Sequence, residues 1–270
     1  MAPARVAVIG AAGRMGRALI RAVTETPDAQ LAAAVERPGS AELGDDAGIL
    51  AGIGPLGVVL AAARPAAGQA DVWIDFSAPA ASVANAQAAA GAGVRLVVGT
   101  TGLAAADKEE IAAAARRIPV VMAPNTSVGV TVLLRIVGDV ARALGPGYDL
   151  EIVETHHRAK RDAPSGTALR LAEALAEATG RDLARSARTA RQGDTGPRTD
   201  DEIGIQTLRG GDVVGDHTVH FLGHGERIEV THRASSRDTF ARGAVRAALW
   251  LCAPDRPPGL YDMRDVLGLR

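Results

Sequence analysis

Two imidazoles and an ammonium group stand close together at His156, His157 and Lys160. Lysine is scarce here: Lys108 and Lys160 are the sole lysines in a chain with 30 basic residues. A guanidinium stays charged at any working pH, whereas an ammonium can share or release a proton when its surroundings lower its pKa. Histidine titrates near neutrality and suits a proton donor acting beside a hydride donor. The bland alternative is a solvated lysine on a polar loop. Zinc would require three or four ligands, and adjacent histidines on an extended chain face opposite ways. His217, His220, His224 and His232 add no ligand spacing, so no metal is expected. Ser165 lacks the Gly-x-Ser-x-Gly elbow of a serine hydrolase. Pro164-Ser-Gly-Thr167 reads instead as a helix start. Ser165 would cap it, and the N–H groups of Gly166 and Thr167 could hold a carboxylate with help from the helix dipole. A capped helix with nothing bound fits those residues equally well.

A second cluster lies near the start. Gly10-Ala-Ala-Gly13-Arg-Met-Gly16 follows an apolar run and opens a helical pattern. Glycines at such a junction allow a tight turn and a close backbone approach to a pyrophosphate. Ala12 stands where the usual fingerprint has glycine. Glu36 follows the last glycine by about 20 residues, the spacing of an acid that meets a ribose hydroxyl. Arg37 beside it could meet a 2′-phosphate instead, so the pair suggests use of NADH or NADPH. A solvated Glu-Arg pair at a strand end is the alternative. Gly99-Thr-Thr-Gly102 and Ala123-Pro-Asn-Thr126 end two further strand patterns. They either flank a nicotinamide or are ordinary turns.

The elements that must position these groups alternate. Runs at 5–10, 31–35, 71–76, 94–98 and 119–122 read as strands, with helical stretches to about residue 25, at 80–91 and at 104–116. This alternation predicts an α/β fold, a Rossmann-type doubly wound parallel sheet. After residue 126 the pattern changes. A long helix over 128–144 precedes a strand at 150–155 and a helix at 167–179. A charged stretch at 186–201 reads as a mobile loop. Strands at 203–208, 213–222 and 227–231 then predict a second α+β domain with an open mixed or antiparallel sheet. A helix at 239–251, a proline-rich turn and a short tail complete the chain. The expected domains are 1–126, a dinucleotide-binding domain, and 127–239.

The 270 residues suffice for one large domain or two ordinary ones. A net charge of −1 gives no global attraction for nucleic acid or an anionic membrane. No apolar run reaches the ~18 residues of a membrane span, and because Met-Ala-Pro-Ala-Arg5 runs straight into a strand pattern a secretion signal is not expected. Cys252 is the lone cysteine, which excludes an internal disulfide. A cytoplasmic location is the expectation.

The stretch Glu154-Thr-His-His-Arg-Ala-Lys-Arg-Asp-Ala-Pro-Ser-Gly-Thr-Ala168 resembles the signature of the 4-hydroxy-tetrahydrodipicolinate reductase (dihydrodipicolinate reductase) family. The resemblance runs through Gly10–Gly16, Glu36-Arg37, Asp75-Phe-Ser77, Gly99–Gly102 and Ser127–Val130. It continues through Arg209–His217, Thr231–Ser236 and Tyr261–Val266. It implies NADH- or NADPH-dependent reduction of a small cyclic dicarboxylate in lysine and diaminopimelate biosynthesis. By position it implies His156 as proton donor, Lys160 as its partner, and His157, Gly166 and Thr167 as substrate-binding residues. Gly10, Ala11, Ala12, Gly13, Arg14, Met15, Glu36, Arg37, Gly99, Thr100, Thr101, Ala123, Pro124, Asn125 and Thr126 would line the cofactor. It also implies a homotetramer built through the second domain's sheet, a C-terminal segment 240–270 packed back on the first domain, and a closing hinge. A larger apolar residue is common in the family where this chain has Thr126. Rival readings are another two-domain NAD(P)-dependent dehydrogenase and a nucleotide sensor without catalysis. Neither needs His156 and Lys160 beside Pro-Ser-Gly-Thr.

Overall fold

A computed structural model describes residues 2–269 and divides the chain into two compact units. The first runs to Val128 and resumes at Arg237; the second spans Gly129–Ser236.

In the first unit the chain alternates β1 (Ala4–Ile9), α1 (Arg14–Thr24), β2 (Ala29–Val35), α2 (Ala47–Ala51), β3 (Leu60–Ala61), β4 (Val72–Asp75), α3 (Pro79–Ala92), β5 (Arg95–Val98), α4 (Ala105–Ala115) and β6 (Pro119–Met122). Their inner strands are apolar at nearly every position because both faces are covered. Val6, Val8, Ile74, Val97 and Val121 point to one side, where Leu19, Ile20 and Val23 of α1 meet them. Ala7, Ile9, Trp73, Leu96, Val98 and Val120 point to the other, under Ala86 and Ala89 of α3 and Ile111 and Ala115 of α4. Successive strand residues face opposite ways, so a continuous apolar run fills two cores at once. Burying each larger aliphatic side chain is worth about 1.5–3 kcal/mol.

The second unit holds most of α5 (Val128–Leu144), then β7 (Asp149–His156), α6 (Gly166–Thr179), α7 (Leu183–Ser186), β8 (Ala187–Arg188), β9 (Ile203–Arg209), β10 (Gly215–Leu222) and β11 (Arg227–Ala234). These strands form a mixed five-stranded sheet in the order β11-β10-β7-β9-β8. The β11-β10-β7 pairs are antiparallel, and β7-β9-β8 are parallel. Alternate burial along β7 and β10 shows one covered face. There Leu150, Ile152, Ile205, Val219 and Phe221 pack against Leu133 and Val137 of α5 and Leu171 and Leu175 of α6.

The chain returns to the first unit with α8 (Asp238–Leu251), β12 (Gly259–Tyr261) and α9 (Met263–Leu267). Ala241, Ala244, Val245, Ala248 and Leu251 of α8 join the core beside α1. β12 pairs in parallel with β6, completing a seven-stranded parallel sheet in the order β12-β6-β5-β4-β1-β2-β3.

Two expectations need correction. The segment after Leu251 is no mere tail, since it supplies an edge strand and a capped helix. The stretch 186–201 begins with α7 and β8, and its remainder is tied down by charge. Arg191 grips the Glu151 carboxylate with both terminal nitrogens at 3.0 and 2.7 Å, and Arg198 reaches Asp149 at 2.7 Å. Opposite charges on β7 thus fasten Arg191 and Arg198 of a stretch that is otherwise exposed and irregular.

Candidate active site

β1 and β4 are neighbours, with β2 and β3 running off one side and β5, β6 and β12 off the other. This is where strand order reverses, and ligands of parallel sheets collect at the carboxyl ends beside that point. The loop after β1 is fixed by close approaches. Gly10 has φ +81°, and a Cβ there would lie 2.9 Å from the Phe76 carbonyl oxygen. A Cβ on Gly16 would lie 2.1 Å from the Gly10 carbonyl oxygen, so only glycine lets α1 start directly under the loop. The N-cap position of α1 is Gly13, which offers no side-chain acceptor, and the first turn carries no acid. The N–H groups of Arg14, Met15 and Gly16 therefore open the helix uncapped, a cradle suited to phosphate.

Glu36, at the end of β2, turns its carboxylate to this loop. Ala12 N–H donates to Oε2 at 2.9 Å and Arg37 N–H to Oε1 at 3.0 Å. Each oxygen keeps a lone pair for a sugar hydroxyl, while the Arg37 side chain is exposed. Gly99, Thr100 and Thr101 follow β5, and Ala123, Pro124, Asn125 and Thr126 follow β6, on the same edge. Behind them a buried polar chain holds the loops. Asp75 accepts from Ser77 Oγ at 2.6 Å and from Asn85 Nδ2 at 3.2 Å, and Ser82 Oγ donates to Thr100 Oγ1 at 2.7 Å. Of the residues expected at the cofactor, Ala11, Gly99, Thr100, Ala123 and Thr126 are buried, and Thr126 Oγ1 donates to the Phe240 carbonyl at 2.6 Å. The donor-rich cradle and the acid at its rim fit a dinucleotide.

The second cluster belongs to the other unit. Leu150, Ile152, Glu154 and His156 share the inward face of β7, so the strand carries its apolar pattern straight into a carboxylate and an imidazole. His156 Nδ1 lies 2.6 Å from Glu154 Oε2. Glu154 is wholly buried and also accepts from both terminal nitrogens of Arg209, at 2.8 and 2.9 Å. Ser165 N–H and Thr207 Oγ1 donate to its Oε1 at 3.0 and 3.2 Å. Burial pushes the Glu154 pKa up, but these donors, led by Arg209 and His156, bring it down to about 2. An ionised carboxylate accepts only, so the imidazole carries its hydrogen on Nδ1 and leaves Nε2 to exchange protons. A side chain at position 215 would meet Nε2 at 2.9 Å; Gly215 leaves that space open. Burial lowers the pKa of His156, and Glu154 only partly offsets it.

His217, from β10, stands edge-on to His156 with ring centroids 5.1 Å apart. Burial takes its pKa down to about 4, and its Nε2 lies 3.0 Å from Ser165 Oγ. Ser165 in turn caps α6 through Ala168 N–H at 3.1 Å. Gly166 and Thr167 thus lead the helix next to His217. The loop bearing His157 and Lys160 is pinned by backbone bonds: His157 N–H to Val213 O at 2.7 Å and Gly210 N–H to His156 O at 3.0 Å. Lys160 Nζ meets both Asp162 oxygens at 2.9 and 2.8 Å. Asp162 is largely exposed, so this pair costs little to exchange for another carboxylate. The structure brings His156, His157, Lys160, Gly166 and Thr167 into one unit. Glu154, Arg209 and His217 were missed from the sequence as site residues. Their signal was parity: a charged or titratable residue at an inward strand position must find partners. Among the described residues, no group of three His, Cys, Asp or Glu side chains is disposed to hold a metal, and no helix is long and apolar enough to cross a membrane.

Comparison with known proteins agrees across both units. The family model described as dihydrodipicolinate reductase, N-terminus, matches residues 4–126, and that described as its C-terminus matches 129–267. A 4-hydroxy-tetrahydrodipicolinate reductase of Anaeromyxobacter dehalogenans is 58% identical over 268 residues, covering 98% of each chain. One from Citrifermentans bemidjiense is 52% identical over 267 residues, covering 98% of this chain and 99% of that one. Among solved structures, a dipicolinate-bound dihydrodipicolinate reductase from Paenisporosarcina sp. TG-14 superposes with a TM-score of 0.71 at 22% identity, covering 96% of this chain and 97% of that chain.

Proposed function

Because this chain belongs to the dihydrodipicolinate reductase family, we propose that it reduces 4-hydroxy-tetrahydrodipicolinate to tetrahydrodipicolinate in lysine and diaminopimelate biosynthesis, with His156 as the proton donor. It is a nicotinamide-dependent oxidoreductase. The observation that carries the residue assignment is the Nδ1 contact of His156 with a fully ionised, buried carboxylate, which leaves Nε2 as the exchanging atom. When bound, NADH or NADPH supplies the hydride. Water leaves as the hydroxyl together with a ring hydrogen, giving a conjugated imine. Hydride adds to the ring carbon that carried the hydroxyl, and the one proton that balances it passes from His156 Nε2 to the ring nitrogen. Lys160 exchanges Asp162 for a substrate carboxylate, and Gly166 and Thr167 bind that carboxylate at the start of α6. His157 contributes to the same pocket wall. In the other unit, the Gly10–Gly13 turn lets the pyrophosphate approach closely and the N–H groups of Arg14 and Met15 at the start of α1 receive it, while Glu36 takes the ribose and the loops at Gly99–Thr101 and Ala123–Thr126 the nicotinamide end. The first unit is thus the dinucleotide-binding domain. The second is the substrate-binding and oligomerisation domain of a cytoplasmic homotetramer, with Leu208 and Ile228 on exposed strand positions available for self-association.

The decisive assay follows NADH or NADPH oxidation with substrate generated by condensing pyruvate with aspartate semialdehyde. Substrate-dependent oxidation is the expected result. Cofactor binding without oxidation would make the chain a nucleotide sensor. The same assay reads the coenzyme contacts. Glu36→Ala removes a ribose acceptor and leaves Arg37 unopposed, so NADH suffers a larger rise in KM than NADPH. Equal loss with both coenzymes would remove Glu36 from the ribose.

A further inference from the structure

Glu154 is the most heavily bonded side chain of the second cluster, yet the reduction needs no proton from it. Five donor groups converge on its two oxygens: His156 Nδ1, both Arg209 terminal nitrogens, Ser165 N–H and Thr207 Oγ1. Arg209 goes further. It donates to the Asp162 carbonyl at 2.7 Å, and Asp162 is the residue that pairs with Lys160. One carboxylate therefore fastens the imidazole directly, the Lys160 loop through Arg209, and the start of α6 through Ser165.

We propose that Glu154, paired with Arg209, is a positioning residue for the reduction: it fixes His156 in the tautomer that exchanges protons at Nε2, sustains the imidazolium, and keeps the Lys160 loop in register with it. The groups that face the His156 ring make the charge argument. Lys160 approaches from the loop, Arg209 from β9 and His217 from β10, and Glu154 lies on β7 itself. Of these, Glu154 alone is anionic. The two cations oppose protonation of the ring, burial opposes it further, and only the carboxylate favours it. A neutral acceptor in its place could still take the Nδ1 hydrogen, but it could not hold the charge.

This inference rests on the assignment of His156 as donor, and the test separates the two. The first measurement is the imidazole nitrogen NMR titration of the wild-type protein without substrate. Nδ1 should remain protonated throughout while Nε2 titrates; the reverse order would overturn the proposal. The second is Glu154→Gln, read by the same titration and by the pH profile of kcat/KM. The His156 titration and the alkaline limb should both move to lower pH by about 1 unit, with the loss in kcat/KM growing roughly tenfold between acid and alkaline pH. NADH affinity should stay unchanged. Glu154→Asp, which restores the charge, should bring the limb most of the way back. A loss uniform in pH, with an unmoved His156 titration, would make Glu154 merely structural and sink the idea. A moved NMR titration with an unmoved rate profile would keep the coupling and fault the donor assignment, which His156→Ala tests separately. Should Glu154→Gln fail to fold, the wild-type titration and Glu154→Asp still decide.

Discussion

His156→Ala is expected to lower kcat by about 10²- to 10⁴-fold, the usual contribution of a positioned general acid, while NADH affinity stays at its wild-type level. The pH dependence sharpens this. The donor is the imidazolium, whose population falls as pH rises through its pKa. Burial sets that pKa below the ordinary histidine value despite Glu154, so the alkaline limb of kcat/KM, which reports the free enzyme, should fall on the acid side of an ordinary histidine. A dicarboxylate seated beside the ring favours its charged form, so the limb in kcat should lie at higher pH than the limb in kcat/KM. Both limbs should vanish in His156→Ala. If the variant turned over at the wild-type rate, or kept the same limbs, the proton would have to come from elsewhere.

Gly16→Ala is the second large effect, and it strikes the other unit. The added methyl would stand 2.1 Å from the Gly10 carbonyl oxygen and 2.5 Å from that of Ala11. Both are backbone atoms within a turn that is itself braced against Phe76, so neither can step aside cheaply. Either α1 slides off the loop or the loop opens, at about 1–3 kcal/mol of overpacking. The uncapped N–H groups then lose their aim. Losing two charge-assisted bonds to phosphate, at about 1.5 kcal/mol each, weakens NADH binding by roughly 100-fold. Fluorescence titration of NADH reads that loss directly. The His156 titration, which reports on the other unit, should not change. Wild-type NADH affinity in Gly16→Ala would show that the glycine loop does not receive the pyrophosphate.

The contrast between what could be read from the residues and what could not has physical grounds. β1 and β4–β6 announce themselves because strands covered on both faces are apolar at almost every position. The doubly wound sheet follows from their alternation with helices, and the mixed second sheet from the glycine-separated runs after residue 202. α2, β3, β8, β12 and α9 span only 2 to 5 residues each. Such lengths carry no periodicity, and packing against neighbours alone makes them regular. At the site, His156 and Lys160 stood out by their chemistry, while Glu154 looked like one more acid in a chain with 31 of them. Its importance lies in the parity it shares with Leu150 and Ile152 on β7. Parity is visible in sequence only once the strand's inward face is known. Arg209 and His217 were hidden for the same reason, since their partners come from strands far along the chain.

The return of α8 and β12 to the first unit has a consequence for biosynthesis of the polypeptide. When the ribosome has added residue 236, the second unit is a complete, contiguous segment. The first still lacks the helix that supplies Ala241, Ala244, Val245, Ala248 and Leu251 to its core, and β6 is still an open edge. The half emerging earliest from the exit tunnel is therefore the last to close. Until α8 and β12 are made, a nascent chain carries an uncovered apolar layer and an unpaired parallel strand, both of which invite association with other chains. Chaperone dependence during synthesis should thus concentrate on the amino-terminal half, and a released chain truncated after Ser236 should be captured by holdases while its second unit already resists protease.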